Sequence, residues 1–115
     1  MTKEINKSGD EPVRAALLRE GTSLTLGDRN NSYGEPVGNM QNIGALWSTY
    51  LIGKYRGQTI DELNMELSGE DVAHMLTLMK ITRTYVHGVQ PDSYIDAAVY
   101  QAIAGECAVE ESQYV

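Results

Sequence analysis

Residues 68–107, SGEDVAHMLTLMKITRTYVHGVQPDSYIDAAVYQAIAGEC, hold two helical signals joined by a short turn. Ser68 stands at an N-cap position, and Glu70 and Asp71 follow in the first turn, where carboxylates favour the positive end of the helix dipole. Val72, Met75, Leu76, Met79 and Val86 lie on one side, so the spacing predicts a helix to about Val86, just ahead of Gly88. Pro91 and Asp92 open a second helix with an apolar stripe of Ile95, Ala98, Val99, Ala102 and Ile103. A link of only about five residues makes the two helices antiparallel neighbours. Reversal near residues 89 and 90 then sets Arg83 beside Asp96, and Lys80 beside Val99 or Tyr100.

Upstream, Glu35-Pro36 starts another helix. Met40, Ile43, Trp47, Tyr50, Leu51 and Lys54 share one face, which predicts a helix over 36–54. Gly38 and Gly44 inside it each cost about 1 kcal/mol relative to Ala, and they are expected to be tolerated rather than to mark close packing. Thr59 and Glu62 have the form of a capping box for a short helix over 60–66. Near the start, Asp10, Pro12, the apolar set Val13, Ala16 and Leu17, and a stop at Gly21 predict a helix over 11–20. Residues 22–34, rich in Gly, Asn and Asp, read as an ordered loop in which Leu24 and Leu26 turn inward. Residues 1–9 read as a flexible arm, 10–107 as one helical domain, and 108–115 as an acidic frayed tail. The predicted fold is all-α, a compact four- to five-helix bundle with an ordered N-terminal loop.

The 115 residues fit one domain able to bury a core of its own. Sixteen acids against nine bases give a net charge of −7, which argues against a sequence-independent nucleic-acid binder. No apolar run is long enough to span a bilayer and no signal peptide is evident, so a cytoplasmic location and no membrane partner are expected. The single cysteine, Cys107, excludes an internal disulfide framework, and its place near the chain end suggests an inert thiol. With no Phe, the core falls to Trp47, the leucines and five methionines. Trp47 is expected in that core rather than in a pocket.

Few residues suggest chemistry. Asp96 sits among core positions in a helix interior, where a carboxylate needs a partner, and Arg83 is the geometric candidate. That pair is either a hairpin clasp or, with Lys80 one turn earlier, a two-cation clamp for phosphate. In the loop, Arg29, Asn31 and Tyr33 could grip a phosphate and stack on a base, although the residues alone favour an ordinary solvated turn. Glu70, Asp71 and Asp92 are accounted for by helix starts. His74 has no second histidine near it, so no metal site is predicted. No nucleophile arrangement can be built, and no catalytic residue is assigned.

GDRNNSYGEPVGNMQNIGALWSTYL, SGEDVAHMLTLMKITR and DSYIDAAVYQAIAGE, in that order, resemble a family of small bacteriophage proteins carrying a domain of unknown function. The resemblance covers about residues 24 to 107 and rests on Arg29, Tyr33, Gly34, Trp47, Asp71, Lys80, Arg83, Asp92, Asp96 and Tyr100. It implies a distant relationship to nucleotide-modification-associated proteins and to MazG-like pyrophosphohydrolases, which are all-α, oligomeric and hold magnesium on an E-x-x-E…E-x-x-D pattern. Here that pattern is broken, with His74 in place of a carboxylate and Asp92 and Asp96 spaced by four.

The resemblance thus implies a phage accessory protein, placed in the host cytoplasm, that binds a nucleotide-like ligand without turnover. It would be a sponge for a host immune signal such as a cyclic nucleotide or a cyclic ADP-ribose variant. Lys80, Arg83 and Arg29 would hold phosphates, with Asn31 beside them in the loop. Tyr33 or Trp47 would stack, and Asp92 or Asp96 would take ribose hydroxyls, with Tyr100 nearby. No cofactor is expected. Magnesium enters only under the alternative, a MazG-like pyrophosphohydrolase whose carboxylates (Glu66, Glu70, Asp71, Asp92, Asp96) converge across a subunit interface. A second alternative is a structural or interaction module. Homo-oligomers are expected under either nucleotide reading.

Overall fold

A computed structural model describes residues 10–27, 35–55, 66–86 and 88–112. Among them are four helices and no strand: α1 Val13–Leu26, α2 Pro36–Lys54, α3 Gly69–Val86 and α4 Pro91–Glu111. The predicted arm over 1–9, the helix over 60–66, most of the predicted ordered loop and the last residues of the tail lie outside the described residues. The all-α expectation holds.

Local chemistry explains most helix starts. The Glu35 carboxylate caps α2, accepting from the Val37 and Gly38 amides at 3.0 and 2.7 Å, with Pro36 in the first turn. Ser68 and Asp71 close a reciprocal capping box: the Ser68 amide donates to Asp71 Oδ2 at 2.9 Å and the Asp71 amide to Ser68 Oγ at 3.1 Å. Pro91 begins α4, which continues past Ala108 to Glu111, so those residues are helical rather than frayed.

α4 packs against all three other helices and is the axis of the bundle. Val72 and Ala73 of α3 meet Val99, Ile103, Ala104 and Cys107 of α4 and Met40 of α2 in one buried cluster. Trp47 and Ile43 pack against it, half-buried. Tyr50, expected on the inner face of α2, is exposed; the buried line there is Val37, Met40, Gly44 and Ser48.

Two glycines depart from expectation. α1 does not stop at Gly21 but runs on to Leu26, because Gly21 is buried against α4, with Val99 Cγ2 3.4 Å from the position of a β-carbon. The glycine therefore serves helix packing, and Leu24 reaches the core from helix rather than from loop. Asp10 is not the cap of α1; Pro12 holds that place without a side-chain bond. At Gly44 a β-carbon would lie 2.6 Å from the Leu67 carbonyl oxygen, so this glycine marks a backbone crossing and is not merely tolerated. The reversal after α3 uses Gly88 at φ 72, a left-handed conformation that suits glycine.

Gly44→Ala should therefore destabilise the protein by about 1–3 kcal/mol in urea unfolding. Gly105→Ala, in α4 with nothing within 4 Å of its β-carbon, should stabilise it by about 0.5–1 kcal/mol.

Cys107 is wholly buried. Burial pushes its thiol up from the ordinary value, and the charges of Glu111, Glu106, Glu35 and Glu70 add to the effect. The folded state then keeps this proton at a pH where the unfolded chain has lost it. Stability from this group is complete below the unfolded thiol value and falls as pH rises through the folded one. The melting temperature should decline above about pH 8.5, and less steeply in Cys107→Ala, as a pH series of thermal melts would show.

Candidate functional site

The α3–α4 hairpin sets the site. Lys80 Nζ lies 3.0 Å from Asp96 Oδ2, with the side chains 14% and 23% exposed. Asp96 follows the buried Ile95, so its carboxylate is carried into the bundle and requires a partner there. The partner is Lys80 and not Arg83, which is one turn nearer the hairpin and exposed. The hairpin register explains the difference. Gln101 Nε2 donates to Thr77 Oγ1 and to His74 Nδ1, both at 2.9 Å, so Gln101 lies between these two residues of α3, and Asp96 comes beside Lys80 rather than Arg83. With Nδ1 accepting, His74 carries its proton on Nε2 and donates it to Glu70 Oε2 at 3.1 Å.

A groove of about 700 Å³ opens beside the ion pair, between the four helices. Its apolar wall includes Met40, Leu76, Val99 and Ile103, and its polar groups include Lys80, Asp96, Tyr100, Asn39 and Glu106. The volume lies within the range of small-molecule sites. Among the described residues that line it, one cation, Lys80, faces two carboxylates, so the groove can place a single anionic group of a ligand at Lys80, beside Asp96, and offer hydrogen-bond acceptors to the rest.

Of the residues singled out in the sequence, the groove brings together Lys80, Asp96 and Tyr100. Arg29, Asn31 and Tyr33 lie outside the described residues. Trp47 packs on the core cluster. Arg83 is exposed, and Asp92 sits in the first turn of α4. Glu106 and Asn39 were missed. Glu106 had a signal, since Asp96, Val99, Ile103 and Glu106 follow at helical spacing on one side of α4. Asn39 had none. Among the described residues no three His, Cys, Asp or Glu side chains gather to hold a metal ion. Glu70, Asp71 and Asp96 each have the protein partner given above.

A family model, that of the domain of unknown function DUF6378, matches residues 16–108, which run through all four helices. The chain belongs to the DUF6378 family. Among curated proteins this DUF6378 chain is similar to the Gene 55 protein of Mycobacterium phage D29, 36% identical over 85 residues, which are 74% of this chain and 48% of that protein. It is also similar to the Gene 55 protein of Mycobacterium phage L5, 28% identical over 98 residues, 85% of this chain and 56% of that one. The chain thus spans about half the length of the curated relatives it matches. Both relatives are phage proteins and support a bacteriophage origin. No solved structure matches, and no helix among the described residues is long and apolar enough to cross a membrane.

Removing one partner of the half-buried pair leaves the other charge uncompensated, so Asp96→Ala should destabilise the fold by about 1–3 kcal/mol. Arg83→Ala, on an exposed position, should stay within about 0.5 kcal/mol of the parent. Urea unfolding of both variants separates the observed register from the predicted one.

Proposed function

We propose that the groove beside Lys80 and Asp96 holds a nucleotide-like ligand, and that the protein sequesters this ligand without turning it over. The observation that carries the reading is a half-buried cation and carboxylate standing together at an apolar slot, with the Tyr100 ring beside them. Lys80 would take a phosphate oxygen, Asp96 a ribose hydroxyl and Tyr100 the base, while the apolar wall covers the flat faces of the ligand. Because the described lining of the groove has one cation to offer, a ligand of low charge suits it better than a triphosphate. A cyclic nucleotide or a cyclic ADP-ribose variant, acting as an immune signal of the host, meets that condition. The reading places the protein in the host cytoplasm as a phage accessory protein. It also takes the bundle as MazG-like, completed by a fifth helix over 60–66.

The test is a melting-temperature panel of cyclic mononucleotides, cyclic dinucleotides, cyclic ADP-ribose isomers and nucleoside triphosphates, with and without magnesium, each mixture then separated by chromatography. A ligand at 100 times its dissociation constant stabilises the fold by about 2.7 kcal/mol, which such a panel detects. The expected result is a shift with a cyclic ligand recovered intact, lost in Lys80→Ala and retained in Arg83→Ala. Magnesium-dependent release of pyrophosphate would replace the sponge by a pyrophosphohydrolase. No shift with any compound would overturn the nucleotide reading.

A further inference from the structure

The outward side of α3 carries a row of exposed apolar side chains, with Thr82 among them and the Glu70–His74 pair at its start. Val72, Ala73 and Thr77 of this helix are buried, and Leu76 and Lys80 turn to the groove. On the opposite side Met75, Leu78 and Tyr85 follow at helical spacing, flanked by Met79 and Ile81, with exposures of 43, 60, 76, 42 and 40% in that order. The chain has sixteen acids, yet none lies between Asp71 and Asp92. An exposed apolar stripe of this extent ordinarily marks a surface that meets a partner.

We propose that a second copy of this chain covers that side, α3 against α3 across a two-fold axis. Area supports it. The five side chains expose on the order of 500 Å² per chain, at the upper end of the largest apolar patch of a typical monomer. Two copies would remove on the order of 1,000 Å² from water, the size a specific interface must reach. Charge supports it too, because chains of net charge −7 repel over most of their surface and approach with least penalty along the part of α3 beyond Asp71, which carries no carboxylate. The geometry is self-complementary. Leu78 lies at the middle of Gly69–Val86, so two antiparallel α3 helices crossing there bring the stripe onto itself, and their dipoles oppose favourably. The groove draws on the other side of α3, so the dimer stands or falls independently of the ligand.

Sedimentation equilibrium of the full chain over a concentration series tests this. The expected mass is twice the 12.7 kDa of one chain, falling to that of one chain in Leu78→Glu and in Tyr85→Lys. Leu46→Glu, at a 70% exposed leucine on α2, should leave the dimer intact. Far-UV circular dichroism confirms helix content in each variant. A wild-type chain monomeric at every concentration would overturn the proposal and leave the face to another kind of partner. So would a dimer that survives both α3 substitutions with helices intact, or one that Leu46→Glu disrupts and Leu78→Glu does not.

Discussion

Where the chain approaches α3 it crosses α2 at a point that tolerates no side chain. The Leu67 carbonyl oxygen stands 2.6 Å from the place a β-carbon on residue 44 would take. One turn on, Ser48 donates its hydroxyl to the Gly44 carbonyl at 2.7 Å and accepts the Leu67 amide at 3.0 Å. Gly44 thus supplies the clearance and Ser48 satisfies a backbone group that the crossing would otherwise bury unpaired. The Ser68–Asp71 capping box then starts α3 at once, so the crossing determines where α3 lies. α4 is fixed in turn, because it folds back along α3, and the groove is the space these placements leave.

Under the proposed reading, electrostatics rather than packing sets what the groove would bind. Taking Lys80 and Asp96 partly out of water carries a desolvation penalty for each, and their contact at 3.0 Å offsets it. The pair adds little net stability by that balance. It does hold the ammonium and the carboxylate in fixed positions before any ligand arrives, so less ordering is needed on binding. Among the described lining residues Glu106 adds a second carboxylate to that of Asp96.

Much of this fold was legible in the sequence because the relevant signals are local. Pro36 and Lys54 bound α2 as read, Ser68 caps α3, and Pro91 opens α4. What failed depends on contacts between distant residues. Gly21 and Gly44 look like any helical glycine until Val99 and Leu67 are placed against them. Arg83 pairs with Asp96 when the reversal lies between residues 89 and 90, and a reversal at residue 88 puts Lys80 there instead. Glu70 and Asp71 were read correctly as groups of a helix start, which is local chemistry. The groove itself was not legible, since it joins side chains from all four helices and only Lys80, Asp96 and Tyr100 stood out beforehand.

The packing of Trp47 has a spectroscopic consequence. It is the single tryptophan in a chain with seven tyrosines and no phenylalanine, and it rests half-buried on the core cluster formed by α2, α3 and α4. Its emission maximum therefore reports one environment, without averaging over several indoles. Unfolding transfers that indole to water and shifts the band to the red, while excitation of the tyrosines supplies an energy-transfer signal to the same acceptor. The molecule carries its own optical probe at the junction of three helices, and fluorescence can follow the association of those helices without any label.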